Sequence, residues 1–307
     1  MSKKDLYLAI ETLEKEKTIL MNDALFKKLC ILKNIFTNVK SGDFRSVIKI
    51  IKDKYASSVI KKRCYEHHAV NVIENNHDDY EHCKIAIYTV VLGDYDRVPI
   101  PLVSFPNVDY FLFVDDPEKY ASYENSFFVK KIPTEISRKG FIEANRYLKF
   151  HPSLFLNGYD YAIYVDGNVR IISDVRHFIN YCTSETGIAM HAHRERDCVY
   201  DEAEVCCLYR RGNKENIKKQ MCIYEKEGFP HHYGMNEATV IVSDLRNPIS
   251  IELLDAWWNE FVSSMCKRDQ LIWPFVLWKR GISLSSIGCL GNNIYENYKL
   301  EIIRHEK

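Results

Sequence analysis

The sequence lacks the short motifs that hold structural zinc, dinucleotides or nucleoside triphosphates in many proteins. Its ten cysteines are irregularly spaced and none forms a C-x-x-C pair, which argues against a zinc site or a disulfide framework and favours reduced thiols. There is no G-x-G-x-x-G and no G-x-x-x-x-G-K-[ST] stretch. Neither a Rossmann dinucleotide cradle nor a P-loop is therefore predicted.

Long apolar runs are also missing. No stretch approaches the roughly 18 uninterrupted apolar residues of a membrane span. The first residues, MSKKDLYLAIETLEKEK, are charged throughout and contain no signal-peptide core. Together with the unpaired cysteines, these absences predict a cytoplasmic protein, either free or peripheral at the cytoplasmic face of a membrane.

The charge is unevenly distributed although the net charge is zero. Residues 1–63 hold 15 Lys and Arg against 7 Asp and Glu. Apolar residues recur every three or four positions through 25–36 and 44–59, which predicts amphipathic helices with basic faces. Such helices can contact an anionic membrane surface, and a helical hairpin packed on the main domain is the alternative. The predicted division is a basic helical segment over 1–73, a linker over 74–83 and the main domain over 84–307.

From residue 84 onward, short apolar strands alternate with helices. Runs such as KIAIYTVVL (84–92) and DYFLFVDD (109–116) are rich in β-branched and aromatic residues, whereas RKGFIEANRYLKF has a helical pattern. This order predicts an α/β fold with a mixed, mostly parallel sheet flanked by helices. Ligands bind such sheets at the carboxyl ends of the strands. Three predicted strands end in polar groups there: Gly93-Asp94, Asp115-Asp116 and Asp166-Gly167-Asn168.

The last of these groups has the spacing of a metal site. Oxygen ligands from Asp166 and Asn168, two residues apart, can hold one divalent cation, Mn²⁺ or Mg²⁺, which neutralises a diphosphate leaving group. Gly167 lets the chain turn and lets phosphates come close. The preceding helical stretch carries cations suited to phosphate oxygens: Arg138, Lys139, Arg146 and Lys149. A hairpin turn beside a solvated basic face is the alternative.

Four blocks in this order, RYLKFHPSLFLNGYDYAIYVDGNVRI, EATVIVSDLRNP, WWNEF and RDQLIWPFVLWKRG, resemble a glycosyltransferase-like domain family whose plant members are associated with cell-wall and mucilage polysaccharides. The resemblance covers about residues 84–305. More distantly, the layout is similar to the retaining family 8 glycosyltransferases, which have a GT-A fold. It implies a GT-A-like enzyme of polysaccharide biosynthesis that uses a nucleotide-sugar donor, with a UDP-sugar favoured. The acceptor is a glycan or a lipid-linked glycan, and no nucleic-acid partner is expected.

The resemblance also implies roles for single residues. Asp269 and Gln270 lie beside the anomeric carbon. Glu237 orients a sugar hydroxyl or acts as a base, and a surface glutamate at the edge of a strand is the alternative. His305 completes the metal site of Asp166 and Asn168, where the amide of Asn168 replaces a carboxylate and weakens metal binding. The nucleotide sugar is expected to contact Thr89, Gly93, Tyr95, Asp115, Arg138, Arg146, Lys149, Asp166, Gly167 and His191.

Two further pairs have weaker signals. His191 and His193 alternate along a predicted strand and are expected to share a face, where with Arg194 they would contact the acceptor or the leaving phosphate. Histidines hydrogen-bonded inside the sheet are the alternative. Glu202 and Glu204, in YDEAEVC, are expected on a solvated helix face.

Two other functions stay open on the sequence. A metal-dependent hydrolase would require a denser cluster of His and Asp than the chain offers, together with a water nucleophile and a nearby base. A non-catalytic protein that binds a nucleotide sugar or a carbohydrate is the second alternative. Asn168 favours it, because an amide lacks the charge that strengthens a metal site.

Overall fold

The structure, a computed structural model, describes residues 79–93 and 98–303, and a seven-stranded sheet forms its centre. The predicted helices of the basic segment, Tyr95 and His305 lie outside the described residues. The sheet has the strand order β3-β2-β1-β4-β7-β6-β8, and β5 pairs separately with β9. In chain order the strands are β1 (Ile85–Val91), β2 (Val108–Val114), β3 (Phe128–Lys131), β4 (Tyr161–Val165), β5 (Val169–Ile171), β6 (Ile188–Ala192), β7 (Asn236–Asp244), β8 (Gly288–Cys289) and β9 (Leu300–Ile302).

The strand directions confirm the predicted fold class. β1 is parallel to both β2 and β4, β2 is parallel to β3, and β6 is parallel to β8. Of the seven strands in the described sheet, β7 alone runs against its neighbours β4 and β6. The sheet is therefore mixed and mostly parallel, and the carboxyl ends of β1, β2 and β4 lie along one edge.

Helices follow the apolar patterns of the sequence. The helices are α1 (Thr134–Ser137), α2 (Phe141–Phe150), α3 (Pro152–Phe155), α4 (Val199–Leu208), α5 (Lys214–Glu227), α6 (Pro248–Ser263) and α7 (Asp269–Lys279). Short 3₁₀ turns occupy Pro117–Tyr123, Arg176–Tyr181, Leu284–Ser286 and Ile294–Glu296. α2 is shorter than the predicted stretch, because Gly140 has φ +84° and separates it from α1. The described part of the chain holds no helix long and apolar enough to cross a membrane.

The sheet is buried on both faces, as the continuous apolar run of β1 predicts. Ala86 and Tyr88 of β1 belong to the core that the sheet shares with α2 and with helices α4 to α7. Ile85 and Ile87 face the other way, toward a second core that includes the 3₁₀ turn Arg176–Tyr181 and the β5–β9 pair. The strand ends are thus held from both sides, which gives the side chains at the carboxyl edge fixed positions.

Candidate active site

Four charged side chains meet at the carboxyl end of β4, and we call them the charge cluster: Arg146, Lys149, Asp166 and Asp269. The Nζ atom of Lys149 lies 2.9 Å from Oδ2 of Asp269 and 3.8 Å from Oδ1 of Asp166. Nε of Arg146 is 2.9 Å from the same Oδ2 of Asp269, in an ion pair too bent to count as a hydrogen bond. The fold therefore brings together residues that the sequence analysis drew from three separate motifs.

Helix α2 positions the two cations. Arg146 and Lys149 are three residues apart, so they share one face of the helix. The Tyr88 hydroxyl donates a hydrogen bond to the Lys149 carbonyl at 2.7 Å, and the Asn145 side-chain amide donates to the Val90 carbonyl at 2.8 Å. Both bonds attach α2 to β1, which fixes the cations over the end of the sheet.

Tyr164 links the cations to Asp166, and the sequence analysis missed it. Nζ of Lys149 lies 4.7 Å from the centre of the Tyr164 ring, and the Tyr164 hydroxyl donates to Oδ1 of Asp166 at 2.9 Å. Burial, with a smaller contribution from the Asp166 charge, raises the pKa of Tyr164 well above its usual value. The hydroxyl therefore keeps its proton. Strand periodicity could have found this residue, because positions two apart face the same side.

Asp269 is a buried carboxylate that stays ionised. It begins α7 and is only 6% exposed. Burial alone would raise its pKa, but the positive charges of Arg146, Lys149 and Arg268 outweigh burial and hold the pKa well below its ordinary value. The side-chain nitrogen of the next residue, Gln270, is buried without a hydrogen-bond partner among the described residues. This end of α7 thus presents an anion already paired with protein cations and a donor without a partner.

The Asp166-Gly167-Asn168 tripeptide forms the turn between β4 and β5. The Val169 amide donates to the Asp166 carbonyl at 2.9 Å, which closes the turn. The side-chain nitrogen of Asn168 donates to the Ile303 carbonyl at 2.9 Å, and the Ile303 amide donates back to the Asn168 carbonyl at 2.8 Å. The side-chain oxygen of Asn168 is the amide atom left for a cation.

The oxygen atoms at this turn fit a hard divalent cation. The Asp166 side chain is 39% exposed, so a cation can reach it from solvent while Tyr164 holds one of its oxygens. One carboxylate and one amide oxygen suit Mg²⁺ or Mn²⁺ when substrate phosphates and water complete the coordination. Lys149, 3.8 Å from Asp166, places a protein cation beside the same position.

A narrow pocket lies next to the turn, and its interior volume of about 10 Å³ is room for roughly one water molecule. Its lining includes Thr89, Tyr110 and Gly167 beside mainly apolar side chains. The Thr89 hydroxyl and the Tyr110 hydroxyl are both buried and have no hydrogen-bond partner in the described part of the chain. Buried hydroxyls without partners are costly unless water or a ligand atom satisfies them, so the pocket is suited to a water molecule or to one polar group of a ligand.

The ends of β1 and β2 are tied together beside this pocket. The Gly93 amide lies 3.4 and 3.3 Å from the two carboxylate oxygens of Asp115. Gly93 has φ +65°, and a Cβ atom there would lie 2.6 Å from the Phe141 ring. Only glycine meets both conditions without strain. Gly93 and Asp115, both predicted to contact the nucleotide, are therefore neighbours.

Arg138 and His191 lie apart from the charge cluster. Arg138 is exposed after the last residue of α1, and no hydrogen bond or ion pair of the described residues joins it to the cluster. His191 is fully buried, and its Nε2 lies 2.9 Å from the Asn297 side-chain nitrogen. Burial lowers the pKa of His191 to about 3, so the imidazole is neutral. Contacts of both residues with a donor stay predictions.

His191, in β6, and His193, directly after it, have different partners. The register irregularity of this strand lies between Met190 and His191, before both histidines, so their common face stays a prediction. His191 meets Asn297, whereas Nε2 of His193 lies 3.6 Å from Glu202 and 4.0 Å from Glu237. Only His193 is thus directed toward the acidic residues of this region.

The expectation that Glu202 lies on a solvated face is wrong. Glu202 is 1% exposed and forms an ion pair with the Arg196 guanidinium, and its α4 neighbour Glu204 is exposed as expected. Arg196 is also mostly buried and pairs with Glu195 as well. The interior position of Glu202 follows from this partner six residues earlier, a spacing that carries no helical or strand signal.

Glu237, the second residue of β7, lies near two other carboxylates. Burial, followed by the negative charges of Glu202 and Asp166, raises the pKa of Glu237 to about 7. A carboxyl group with such a pKa can both donate and accept a proton near neutral pH. The predicted role of Glu237 as a base is therefore chemically accessible.

Replacing Glu237 by glutamine is expected to stabilise the protein at about pH 8 and to have little effect at about pH 4. The folded state binds this proton more tightly than the unfolded state, since the pKa rises from 4.5 to about 7. Stability is therefore fully present below the unfolded pKa and is lost as the pH rises through the folded pKa. The difference at alkaline pH is about 2–3 kcal/mol.

Urea unfolding in metal-free buffer at the two pH values measures this effect. Glu204→Gln is the matched control, because Glu204 is exposed on α4, and its stability difference should not change with pH. The explanation would be contradicted if Glu237→Gln changed stability equally at both pH values.

Two solved glycosyltransferase structures align with this chain at low sequence identity. Mouse xyloside xylosyltransferase 1 aligns with 66% of this chain and 83% of its own, at 8% identity and a TM-score of 0.43. The mannosyltransferase Ktr4p of S. cerevisiae in complex with GDP aligns with 76% of this chain and 77% of its own, at 10% identity and a TM-score of 0.36. No curated protein matches the chain.

A sequence model of a known domain family matches most of the chain. The model describes the TOD1/MUCI70 glycosyltransferase-like domain and matches residues 49–289. The match begins inside the segment predicted as a separate helical region and ends at the last residue of β8. It confirms the resemblance drawn from the four sequence blocks and the predicted enzyme class, a glycosyltransferase. The chain belongs to the TOD1/MUCI70 family of glycosyltransferase-like domains.

Proposed function

We propose that this protein transfers a sugar from a nucleotide-sugar donor, with a UDP-sugar favoured, to a glycan or lipid-linked acceptor, with a divalent metal assisting and with retention of configuration. The observation that carries the proposal is the charge cluster. Arg146 and Lys149 are held at the end of β4 by the buried anion Asp269, at distances of 2.9 Å. Fixed cations of this kind stabilise the negative charge of a departing diphosphate without reorganisation.

The carboxyl edge of β1 and β2 and the charge cluster divide the donor between them. The nucleotide would lie against Thr89, Gly93 and Asp115, where the Thr89 hydroxyl has no hydrogen-bond partner in the described region. The diphosphate would then extend past Gly167 toward Lys149. The donor, from nucleotide to diphosphate, would thus run from the ends of β1 and β2 to the end of β4.

Metal assistance rests on the oxygen atoms of Asp166 and Asn168, with His305 as the proposed third ligand. A Mn²⁺ or Mg²⁺ ion there would supply charge neutralisation to the diphosphate. Tyr164 orients the Asp166 carboxylate through its hydrogen bond of 2.9 Å. Lys149 contributes a protein cation to the same phosphates.

The sugar would lie between the start of α7 and the start of β7. Both cations approach Oδ2 of Asp269, which leaves Oδ1 for a sugar hydroxyl. The Gln270 side-chain nitrogen, which has no partner in the described region, can donate to another sugar oxygen. Glu237, with its pKa raised to about 7, can exchange a proton with the acceptor hydroxyl.

A panel of nucleotide sugars tested with and without Mn²⁺ addresses the proposal. One donor is expected to raise the melting temperature more strongly with Mn²⁺ and to release nucleoside diphosphate slowly. Lys149→Gln should lose the donor-dependent shift, whereas Lys226→Gln, which removes an exposed lysine of α5, should keep it.

The same panel separates the rival functions. Stabilisation by one donor without any diphosphate release, even with candidate acceptors present, would favour the non-catalytic binding protein. Absence of a shift with every nucleotide sugar would contradict the donor assignment itself.

A further inference from the structure

A second group of side chains with metal-ligating chemistry lies at the start of α4, separate from the charge cluster. Cys198 directly precedes α4, Asp201 is in its first turn, and His232 is in the loop between α5 and β7. We call these three residues the Cys-Asp-His group. One ligand atom from each lies within 4.8 Å of the other two.

We infer that the Cys-Asp-His group binds a transition-metal ion, with Zn²⁺ the best chemical match. A thiolate, an imidazole and a carboxylate are the ligands that zinc combines, whereas Mg²⁺ and Mn²⁺ prefer oxygen alone. Zinc bonds of about 2.0–2.3 Å place tetrahedral ligand atoms about 3.5 Å apart. The group has to close by roughly 1 Å, which side-chain rotation of the exposed His232 and the half-buried Asp201 can supply.

Asp197 orients His232 in the way that carboxylates hydrogen-bonded to zinc-binding histidines do. Its Oδ1 lies 2.8 Å from Nδ1 of His232, which leaves Nε2 for a metal. The Asp197 carbonyl also accepts a hydrogen bond from the Gly234 amide at 2.8 Å. Asp197 therefore holds both the imidazole and its loop against the start of α4.

The sulfur of Cys198 is not used to cap the helix. Cys198 occupies the N-cap position of α4 but makes no side-chain capping hydrogen bond. Its Sγ lies 3.7 Å from Nδ1 of His231, a spacing typical of two ligands on one zinc ion. The His231 ring stacks on Tyr200, with ring centres 4.2 Å apart. A water molecule would occupy the fourth coordination position.

A metal in this group would fasten the loop that leads into β7. His232 is five residues before Glu237, and the loop residue Met235 accepts a hydrogen bond from the His193 amide. The expected role is structural, because the ion would join the start of α4 to the loop before β7. The absence of a C-x-x-C pair argued against zinc, but these ligands come from a helix start and a loop 31 to 34 positions later in the chain.

Cobalt titration of the metal-free full chain tests the inference. Co²⁺ bound to a thiolate absorbs in the near ultraviolet, and tetrahedral Co²⁺ adds visible bands. We expect one Co²⁺ per chain with both absorptions, and loss of both when Zn²⁺ is added. Cys198→Ser should abolish the thiolate band, and Cys222→Ser, which changes an exposed cysteine of α5, should retain it.

Two further variants keep the test decisive. His232→Asn changes an exposed side chain and should weaken Co²⁺ binding at least tenfold, even if Cys198→Ser folds poorly. Asp166→Asn should leave the thiolate band intact, so failure of the proposed donor site would not be confused with failure of this one. A missing thiolate band in the unchanged protein, or a band that survives Cys198→Ser, would overturn the inference.

Discussion

Replacing Asp269 by asparagine is expected to lower the free energy of unfolding by about 3–5 kcal/mol. The carboxylate is 2.9 Å from both Lys149 and Arg146, and Lys149 is only 2% exposed. Without the anion, these cations stay buried with no compensating charge except Asp166, 3.8 Å from Lys149. Urea unfolding at neutral pH measures the loss.

Two companion variants identify the cause of that loss. Asp255→Asn makes the same chemical change at an ion pair with His151 in which the carboxylate is 56% exposed, and it should cost no more than about 1 kcal/mol. Adding Lys149→Met to Asp269→Asn should recover part of the stability, because one buried cation without a partner is removed. If the double variant is less stable than Asp269→Asn alone, unpaired charge is not the cause.

Replacing Asp166 by asparagine is expected to reduce turnover by about 10²–10³-fold and to abolish its dependence on Mn²⁺. The amide can still accept the Tyr164 hydrogen bond, and the position is 39% exposed, so the melting temperature should hardly change. Initial rates of diphosphate release over a range of Mn²⁺ concentrations provide the measurement.

A control for this variant is available on α6. Glu252→Gln removes one exposed carboxylate and should leave both the rate and its Mn²⁺ dependence unchanged. If the Asp166→Asn variant kept the full rate and the same dependence on Mn²⁺, Asp166 would be ruled out as the metal ligand.

The central elements of the fold could be predicted because their signals are local. β1 has an uninterrupted apolar run and α2 a clear helical periodicity, and the structure places their limits within a few residues of the predicted stretches. The β5–β9 pair could not be predicted, because strands of three residues that pair across more than 120 positions carry no pattern of their own. The antiparallel direction of β7 likewise depends on contacts that the alternating order of strands and helices does not reveal.

The charge cluster could be predicted only in part. Arg146, Lys149 and Asp166 follow from a basic helix next to a strand that ends in Asp, but Asp269 came from family resemblance, since 120 positions separate it from Lys149. Arg138 was predicted on the same helical stretch as Arg146 and Lys149. The positive φ of Gly140 separates Arg138 from the helix that carries the other two cations.

The amide at position 168 has a structural explanation as well. The family resemblance predicts that Asn168 replaces a carboxylate ligand and so binds a metal more weakly. In the structure its side-chain nitrogen donates to the Ile303 carbonyl at 2.9 Å, which a carboxylate could not do. The residue therefore combines the proposed ligand oxygen with a donor that anchors the end of β9.

This anchor makes the order of protein synthesis matter. Asn168 leaves the ribosome 135 residues before its partner Ile303, a delay on the order of 10 s at typical translation rates. Until then β5 has no β9 to pair with, although the strands and helices between them can already fold. A prematurely terminated chain is therefore expected to lack the finished turn at Asp166-Gly167-Asn168, so incomplete translation products would be inactive in the proposed sugar transfer.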